Sequence, residues 1–435
     1  MKREPGCGGE TPAVEGSHAG PGQRAGGANV EPASHLNGGA YPRAGLAPRS
    51  WREHYFPDVS DAQWSDWRWQ FRNRIRTLEQ LHRLFRFDHD ERRMLKEVLT
   101  EFRVGITPYY LSLIDPNDPN DPLRLQAVPS AEEFLFGSDG EWDPLAEDAY
   151  SPVPGIVHRY PDRCLLVATN VCALYCRYCT RKRIMEEGDA PPPVRAFDAM
   201  IDYIAKTPAI RDVVVSGGDP LTWSSRRLRH LLERLRDIPH LEIIRLGSRV
   251  PVTLPQRIDA DLCAMLEQFG PIWINVHFNH PREVTAEAAA ACDRLLRSGI
   301  PLNNQAVLLR GINDDADVIK SLVHALMRIK VRPYYLYNCD PVHGARHFRT
   351  PISKGIEIIE ALRGHTSGLA VPVFVVDAPG GGGKIPIQPN YLMSYQNGRA
   401  LLRNFQSRQF RYDDPVREDR GTKARPIRLR AVVSD

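Results

Sequence analysis

Cys164-Leu-Leu-Val-Ala-Thr169-Asn-Val-Cys172-Ala-Leu-Tyr-Cys176-Arg-Tyr-Cys179 is an apolar run followed at once by three cysteines within eight residues. A short apolar run of this kind predicts a buried strand, and the cysteines then lie in the loop at its carboxyl end. Working outward, β-rich runs recur at residues 212–215, 242–246, 272–277, 302–308, 332–337 and 371–376. Amphipathic helical stretches lie between them, at residues 225–237, 260–269, 283–298, 316–329 and 353–363. Several successive strands are about thirty residues apart, the length of a strand, a helix and two loops. Alternating elements imply a parallel sheet. Six or seven such units predict an α/β fold, a partial or complete TIM-like (β/α) barrel of parallel strands.

The flanks differ in character. Residues 1–50 are rich in Gly, Ala and Pro with few large apolar side chains, a composition too poor in buriable surface to offset its ordering entropy, and are read as a disordered tail. Residues 51–150 form an amino-terminal helical extension: aromatics and charges alternate through Trp64, Trp67, Trp69 and Phe71, and helical spacing continues to about Phe102. The Asp-, Asn- and Pro-rich run 115–122 is a loop. The barrel is assigned to residues 151–395, and residues 396–435 to a carboxyl-terminal extension with a basic tail.

Composition narrows the function. The 57 basic and 53 acidic residues leave a formal net charge of +4, too even for a nucleic-acid partner, which would show a concentrated basic face. The basic stretch 417–430 reads as solvated charge. No apolar run is long enough to span a bilayer, and Lys2 and Arg3 lack an apolar segment behind them, so no secretory signal is evident. A cytoplasmic, reducing location is expected, where clustered cysteines bind metal or do chemistry more often than they form disulfides.

The unusual residues share one rim. Cys172, Cys176 and Cys179 follow the first strand, Gly217-Gly218-Asp219 the second and Ser248-Arg249 the third. His277, Asn279 and His280 end the fourth strand, Cys339-Asp340 the sixth, and Asp377 with a glycine run the last. In a parallel barrel these loops emerge at the face where catalytic groups collect.

The cysteine spacing is Cys-x3-Cys-x2-Cys. Structural zinc wants four ligands, whereas three thiolates on an iron–sulfur cubane leave one iron open to a small molecule. Cys164, on the strand itself, reads as core rather than as a fourth ligand. The stretch Asp377-Ala-Pro-Gly380-Gly-Gly-Gly383-Lys384 is not a phosphate loop, which needs Gly at Ala378 and Ser or Thr at Ile385. A flexible loop is one reading of it. The other is a lysine placed to form a Schiff base with a cofactor aldehyde.

The cysteine spacing is that of the radical S-adenosylmethionine (SAM) superfamily, and residues 51–412 resemble lysine 2,3-aminomutase and its close relatives. The resemblance rests on Ile106-Thr-Pro-Tyr-Tyr-Leu-Ser-Leu-Ile-Asp115, Ser151-Pro-Val-Pro-Gly155, His158-Arg-Tyr-Pro-Asp-Arg163, His277-Phe-Asn-His-Pro281, His347-Phe-Arg-Thr-Pro351, Gly355-Ile-Glu-Ile-Ile-Glu360 and residues 377–384. It implies a [4Fe-4S] cluster on Cys172, Cys176 and Cys179. SAM would lie near Gly217, Gly218, Asp219, Ser248, Arg249, His277 and Gln305. Pyridoxal phosphate (PLP) would be attached to Lys384 with Arg159, Tyr160 and Arg163 around it. By the same resemblance Arg181 takes the substrate carboxylate, and Asp340 and Asp377 hold its distal ammonium.

Two carboxylates at one end of a pocket favour a cationic side chain and disfavour glutamate. Lysine is the expected substrate, interconverted with its β-amino isomer, and arginine is the alternative. The segment Asn338-Cys-Asp-Pro-Val-His-Gly-Ala-Arg346 departs from the usual family version beside Asp340. No cysteine follows Cys339, so the structural zinc of clostridial relatives is not expected. A flavodoxin- or ferredoxin-like reductant and a homo-oligomer are. The rival readings are a zinc-stapled interaction module and an ordinary PLP enzyme, neither of which explains the cysteine spacing.

Overall fold

Nine strands form one sheet in chain order: β1 (Ile156–Tyr160), β2 (Arg163–Thr169), β3 (Asp212–Gly217), β4 (Ile243–Gly247), β5 (Ile272–Val276), β6 (Leu302–Leu308), β7 (Arg332–Asn338), β8 (Val373–Ala378) and β9 (Gly383–Pro386). β2 to β8 run parallel. β1 pairs antiparallel with β2, and β9 with β8. These come from a computed structural model that describes residues 50–135, 139–185 and 194–415, all within the unit Pro42–Asp435. The expectations for the amino-terminal tail and the basic stretch 417–430 fall outside the described residues.

Each strand read from the sequence is present with its ends within two residues of expectation. Crossover helices connect the parallel strands: Val194–Ala205, Ser225–Arg236, Ala260–Glu267, Ala286–Arg297, Ala316–Arg328 and Ile352–Leu362. Four begin on a side chain that accepts an otherwise orphaned amide: Ser224, Asp259, Thr285 and Asp315.

Alternation along the strands separates two faces. Val213 and Val215, Ile244 and Leu246, Ala306 and Leu308, and Leu336 are buried in apolar core. Their neighbours Val214, Ser216, Arg245, Gly247, Gln305, Val307, Tyr335 and Tyr337 line an interior cavity of about 610 Å³. Successive strand residues point to opposite faces, so the apolar set packs under the helices while a mixed polar set is left for the centre. A barrel filled by Val, Ile and Leu has no such cavity. This one is partial, because β1 and β9 do not pair. They meet through one side chain: the Lys384 backbone amide donates to the Tyr160 hydroxyl at 3.1 Å.

The amino-terminal region is helical as read, but in short pieces rather than one run: Asp61–Ser65, Trp67–Arg72, Leu78–Leu84 and His89–Glu101. Capping boxes at Ser60, Thr77 and Asp88 start three of them. Beyond the barrel, β10 (Leu392–Gln396), β11 (Arg399–Arg403) and β12 (Gln409–Asp413) form an antiparallel sheet. It begins at Leu392, slightly before the expected boundary at 396. Among the described residues no helix is long and apolar enough to cross a membrane.

Gly355 shows how tightly the shell closes. A Cβ there would stand 2.1 Å from Cζ of Phe374 on β8, and that ring is buried with no room to retreat. Gly355→Ala is expected to cost about 1–3 kcal/mol, the usual penalty of overpacking. A urea midpoint unchanged from the parent protein would contradict this packing.

Candidate active site

The cysteine loop is gripped from outside the barrel by the amino-terminal helices. The Tyr175 amide donates to Gly105 O at 3.1 Å and the Arg177 amide to Gln126 O at 3.0 Å, while Arg74 reaches Cys172 O. Arg177 also forms a two-bond pair with Glu133, each bond 2.8 Å, and Lys182 adds a third contact to that carboxylate. All three side chains are buried. They fix a loop that has no regular structure of its own.

Cys172, Cys176 and Cys179 together line a pocket of about 50 Å³ with Phe102, Arg103, Lys182 and Met185. Burial pushes the Cys172 thiol well above its ordinary range and Cys179 to about 11, as for thiols that ionise only on metal binding. The three thiols lie on one loop and face one pocket, one fewer than the four ligands of a structural zinc site. Three thiolates can hold three irons of a cubane and leave the fourth open to a small molecule. The donor set therefore fits a cluster.

Gly217 and Gly218 serve this loop. A Cβ at Gly217, whose φ is +109°, would lie 2.5 Å from Thr169 O, and one at Gly218 would lie 2.6 Å from Val171 O. The atoms nearest the Gly217 position belong to the end of β2, including the Val167 side chain, and those nearest Gly218 are backbone of Asn170 and Val171 at the start of the cysteine loop. Asp219 is likewise engaged, accepting from Ser248 Oγ at 2.8 Å, Arg249 N at 2.7 Å and Val250 N at 3.1 Å. Burial pushes its carboxyl up to about 6 against those bonds. It locks the β3 and β4 loops together.

Arg249 completes the lock. Its guanidinium is buried and donates to Cys176 Sγ at 2.7 Å, Gln126 Oε1 at 2.6 Å and Glu283 Oε1 at 2.7 Å. Glu283, also buried, accepts from the Tyr110 hydroxyl and from the amides of Asn279 and His280. His277 lies beside this network, its Nε2 2.9 Å from the Tyr178 hydroxyl. Burial and then Arg249 pull its pKa well down, so the ring is neutral.

The large cavity gathers nine of the residues singled out in the sequence: Arg159, Tyr160, Arg163, Arg181, His277, Gln305, Asp340, Asp377 and Lys384. Gly217, Gly218, Asp219, Ser248 and Arg249 are not among its lining residues. The Lys384 ammonium donates to Asp377 Oδ2 at 2.8 Å. Asp340 accepts from Thr180 Oγ1 at 2.9 Å, and burial, reinforced by Asp377, pushes its carboxyl up to about 6. Arg159 reaches Leu145 O and lies 3.8 Å from Asp377, yet its Nε is buried without a hydrogen-bond partner. An aldehyde-reactive amine, a hydroxyl and two arginines on one wall fit PLP.

Sequence reasoning missed Glu147. Its carboxylate grips Arg181 through three contacts of 2.7–3.1 Å. Burial alone would raise its pKa, but Arg181 outweighs that and holds it below the ordinary range. Glu147 lies in a loop with no motif, so only the fold brings it to Arg181. Thr180, Tyr337 and the Arg245–Asp212 pair, 2.8 Å apart, were also missed on the cavity wall. For the last three the period-2 pattern held the signal.

A barrel with this cysteine loop is that of a radical SAM enzyme, and residues 166–322 match the family model of the radical SAM superfamily. Residues 359–426 match the model described as lysine-2,3-aminomutase. The chain is 54% identical to L-lysine 2,3-aminomutase of Clostridium subterminale, over 84% of this chain and 88% of that one. It is 46% identical to that of Bacillus subtilis, over 89% and 85%. Glutamate 2,3-aminomutase of Clostridioides difficile is 43% identical, over 82% and 84%. The chain belongs to the lysine 2,3-aminomutase family. It is an isomerase that uses a [4Fe-4S] cluster and SAM.

Glu283→Gln would leave Arg249 short of its counter-charge beside Cys176. Breaking such a buried pair costs about 3–5 kcal/mol. The variant is expected to melt earlier and to retain less iron after anaerobic reconstitution. Parent-like iron content together with a parent-like melting temperature would refute this account of Arg249.

Proposed function

We propose that the protein interconverts L-lysine and its β-amino isomer, with PLP on Lys384 and the cluster on Cys172, Cys176 and Cys179. The observation that carries the reading is the charge layout of one cavity, whose lining brings together Arg181, the acidic pair Asp340 and Asp377, and Lys384 bonded to Asp377. When bound, the cluster and SAM supply a carbon radical able to take hydrogen from an unactivated C–H bond. PLP, when bound, supplies an aldehyde that holds the migrating nitrogen next to a conjugated ring.

This chain's own residues position and shield. Arg181 takes the α-carboxylate in a two-point grip. Asp340 and Asp377 take the distal ammonium, and Asp377 becomes available once the Lys384 amine leaves it. Arg159, Tyr160 and Arg163 hold the PLP phosphate and ring. Gly217, Gly218, Asp219, Ser248 and Arg249 shape the SAM side, with neutral His277 and Gln305 facing the cavity. Confinement away from water limits side reactions of a radical.

Lysine is favoured over arginine by the relatives' names and by position. Of the divergent segment 338–346, only Asp340 lines the cavity, so its altered side chains leave the pocket wall as it is. A flavodoxin- or ferredoxin-like reductant, a homo-oligomer and a cytoplasmic location complete the proposal on family resemblance.

The test is an anaerobic assay of reconstituted, reduced protein with SAM, PLP and lysine, arginine or glutamate, identifying products by mass and chromatography. Lysine is expected to yield its β-amino isomer; turnover of arginine without lysine would overturn the assignment. Lys384→Ala is expected to lose both the PLP absorption band and activity.

The pH dependence has a sign. Asp340 is charged above about 6 and neutral below, so KM for lysine is expected to climb as pH falls through that value, approaching tenfold per unit. Asp340→Asn is expected to flatten this climb and raise KM by about two orders of magnitude, since losing one partner of a buried charged contact costs roughly 2–5 kcal/mol. A parent-like pH profile in that variant would remove Asp340 from substrate binding.

A further inference from the structure

Residues 139–150 form a strap along the cavity, tied at both ends. At one end Glu141 bridges to Val342, with its amide 2.9 Å from Pro341 O and its carbonyl accepting from His343 N at 3.0 Å. The Trp142 and His343 rings lie 4.2 Å apart, and Arg346 pairs with Asp139. At the other end Gly380 N donates to Pro144 O at 3.2 Å, and Arg159 reaches Leu145 O and lies over the Tyr150 ring. The strap thus joins the loop carrying Asp340 to the glycine run before Lys384.

Between those ties the backbone turns sharply. Ala146 adopts φ +50°, a left-handed conformation that few side chains other than glycine's absence of one tolerate easily. That turn sends Glu147 inward, where its side chain is 10% exposed. Both carboxylate oxygens engage Nε and one terminal nitrogen of Arg181. Strain held at a residue that aims a charged group into a cavity points to a use for that group.

We infer that Glu147 is a resident carboxylate that occupies the Arg181 fork until a substrate carboxylate replaces it, making the strap a gate selective for free α-amino acids. The inference rests on the reading of Arg181 as the carboxylate-binding residue. A second carboxylate beside Glu147 would place two anions on one guanidinium where both side chains are already mostly buried, and like charges repel strongly out of water. Exchange of one anion for another avoids this. A neutral amide or a peptide bond at the same position carries no charge with which to displace Glu147.

The displaced carboxylate has somewhere to go. Arg183 Nη2 already stands 3.6 Å from Glu147 Oε2, and Arg183 Nε is buried without a hydrogen-bond partner. The same guanidinium holds Asp143 at 3.1 Å and Asp148 at 3.2 Å, and Asp148 is 78% exposed, so water screens the crowded charge there and a shift of Glu147 toward it leaves both ends of the strap attached. Only the centre needs to move.

The experiment is calorimetric titration of the full chain, loaded with cluster and PLP but unreduced, with lysine and with lysinamide. Glu147→Gln removes the competing anion and is expected to lower the Kd for lysine several-fold while leaving that for lysinamide unchanged. Glu147→Asp, which keeps the charge but is one methylene short of the grip, is expected to fall between and decides the matter if the Gln variant misfolds. Arg181→Gln serves as the control, with lysine binding weakened about a hundredfold. A lysine Kd that is unchanged or higher in both Glu147 variants, with Arg181→Gln still impaired, overturns the gate alone. Unimpaired lysine binding in Arg181→Gln overturns the carboxylate reading beneath it.

Discussion

A single buried guanidinium joins the irregular part of this molecule to the regular part. Arg249, at the end of β4, touches Cys176 on one side and Glu283, Gln126 and the Tyr178 ring on others. A cation in that position is tolerable only with its counter-charge present, because desolvating an ion costs several kcal/mol that the partner must offset. Glu283 is in turn held by Tyr110 and two amides of the β5 loop. The cysteine loop, the helical extension and two strand ends are therefore coupled through one charge pair. This explains why the extension at residues 51–150 belongs to the active site's support: Gln126, Glu133 and Tyr110 all come from it.

The large cavity follows the same logic of paired charge. Its wall carries Arg159, Arg163, Arg181, Arg245 and Lys384 against Glu147, Asp212, Asp340 and Asp377. Nearly every cation has an anion within reach: Arg181 with Glu147, Arg245 with Asp212, and Lys384 and Arg159 with Asp377. Among the anions Asp340 makes no such close pair: its hydrogen bond is from the neutral Thr180 hydroxyl, and burial with Asp377 nearby raises its pKa although Lys384 and Arg181 act against this from farther off. A carboxylate without a close ion pair in a buried wall is where a cationic ligand gains most.

The fold was legible because its signal is local and repeated. Seven parallel strands announce themselves through short apolar runs, and the crossover helices through their period and caps. The antiparallel edges β1 and β9 were not legible. Ile156-Val-His-Arg-Tyr160 mixes charge with apolar residues, and Gly383-Lys-Ile-Pro386 reads as loop. The three-stranded sheet after Leu392 was missed for a related reason, since β10 and β12 are exposed throughout and bury no face. For the site, cysteine spacing and a lysine behind four glycines carry chemistry in themselves. Glu147 and Glu283 do not, because their importance lies in a partner distant in sequence.

The glycine pair at Gly217 and Gly218 shows why motif and mechanism must be kept apart. The family resemblance puts SAM near these glycines, where a missing side chain lets a ligand approach the backbone. The contacts show the β3 end packed closely on the β2 end at Gly217 and on the start of the cysteine loop at Gly218, with those atoms in the space a side chain would fill. The two functions are compatible, since a loop that must present three sulfurs at fixed positions needs a flat surface to lie on. Asp219 then ties this seam to the β4 loop, its amide donating to Val171 O at 2.8 Å while its carboxylate accepts from Ser248, Arg249 and Val250. The residues nearest the cysteines in space thus act first on the geometry of the cysteine loop, and any contact they make with a small molecule depends on that geometry being held.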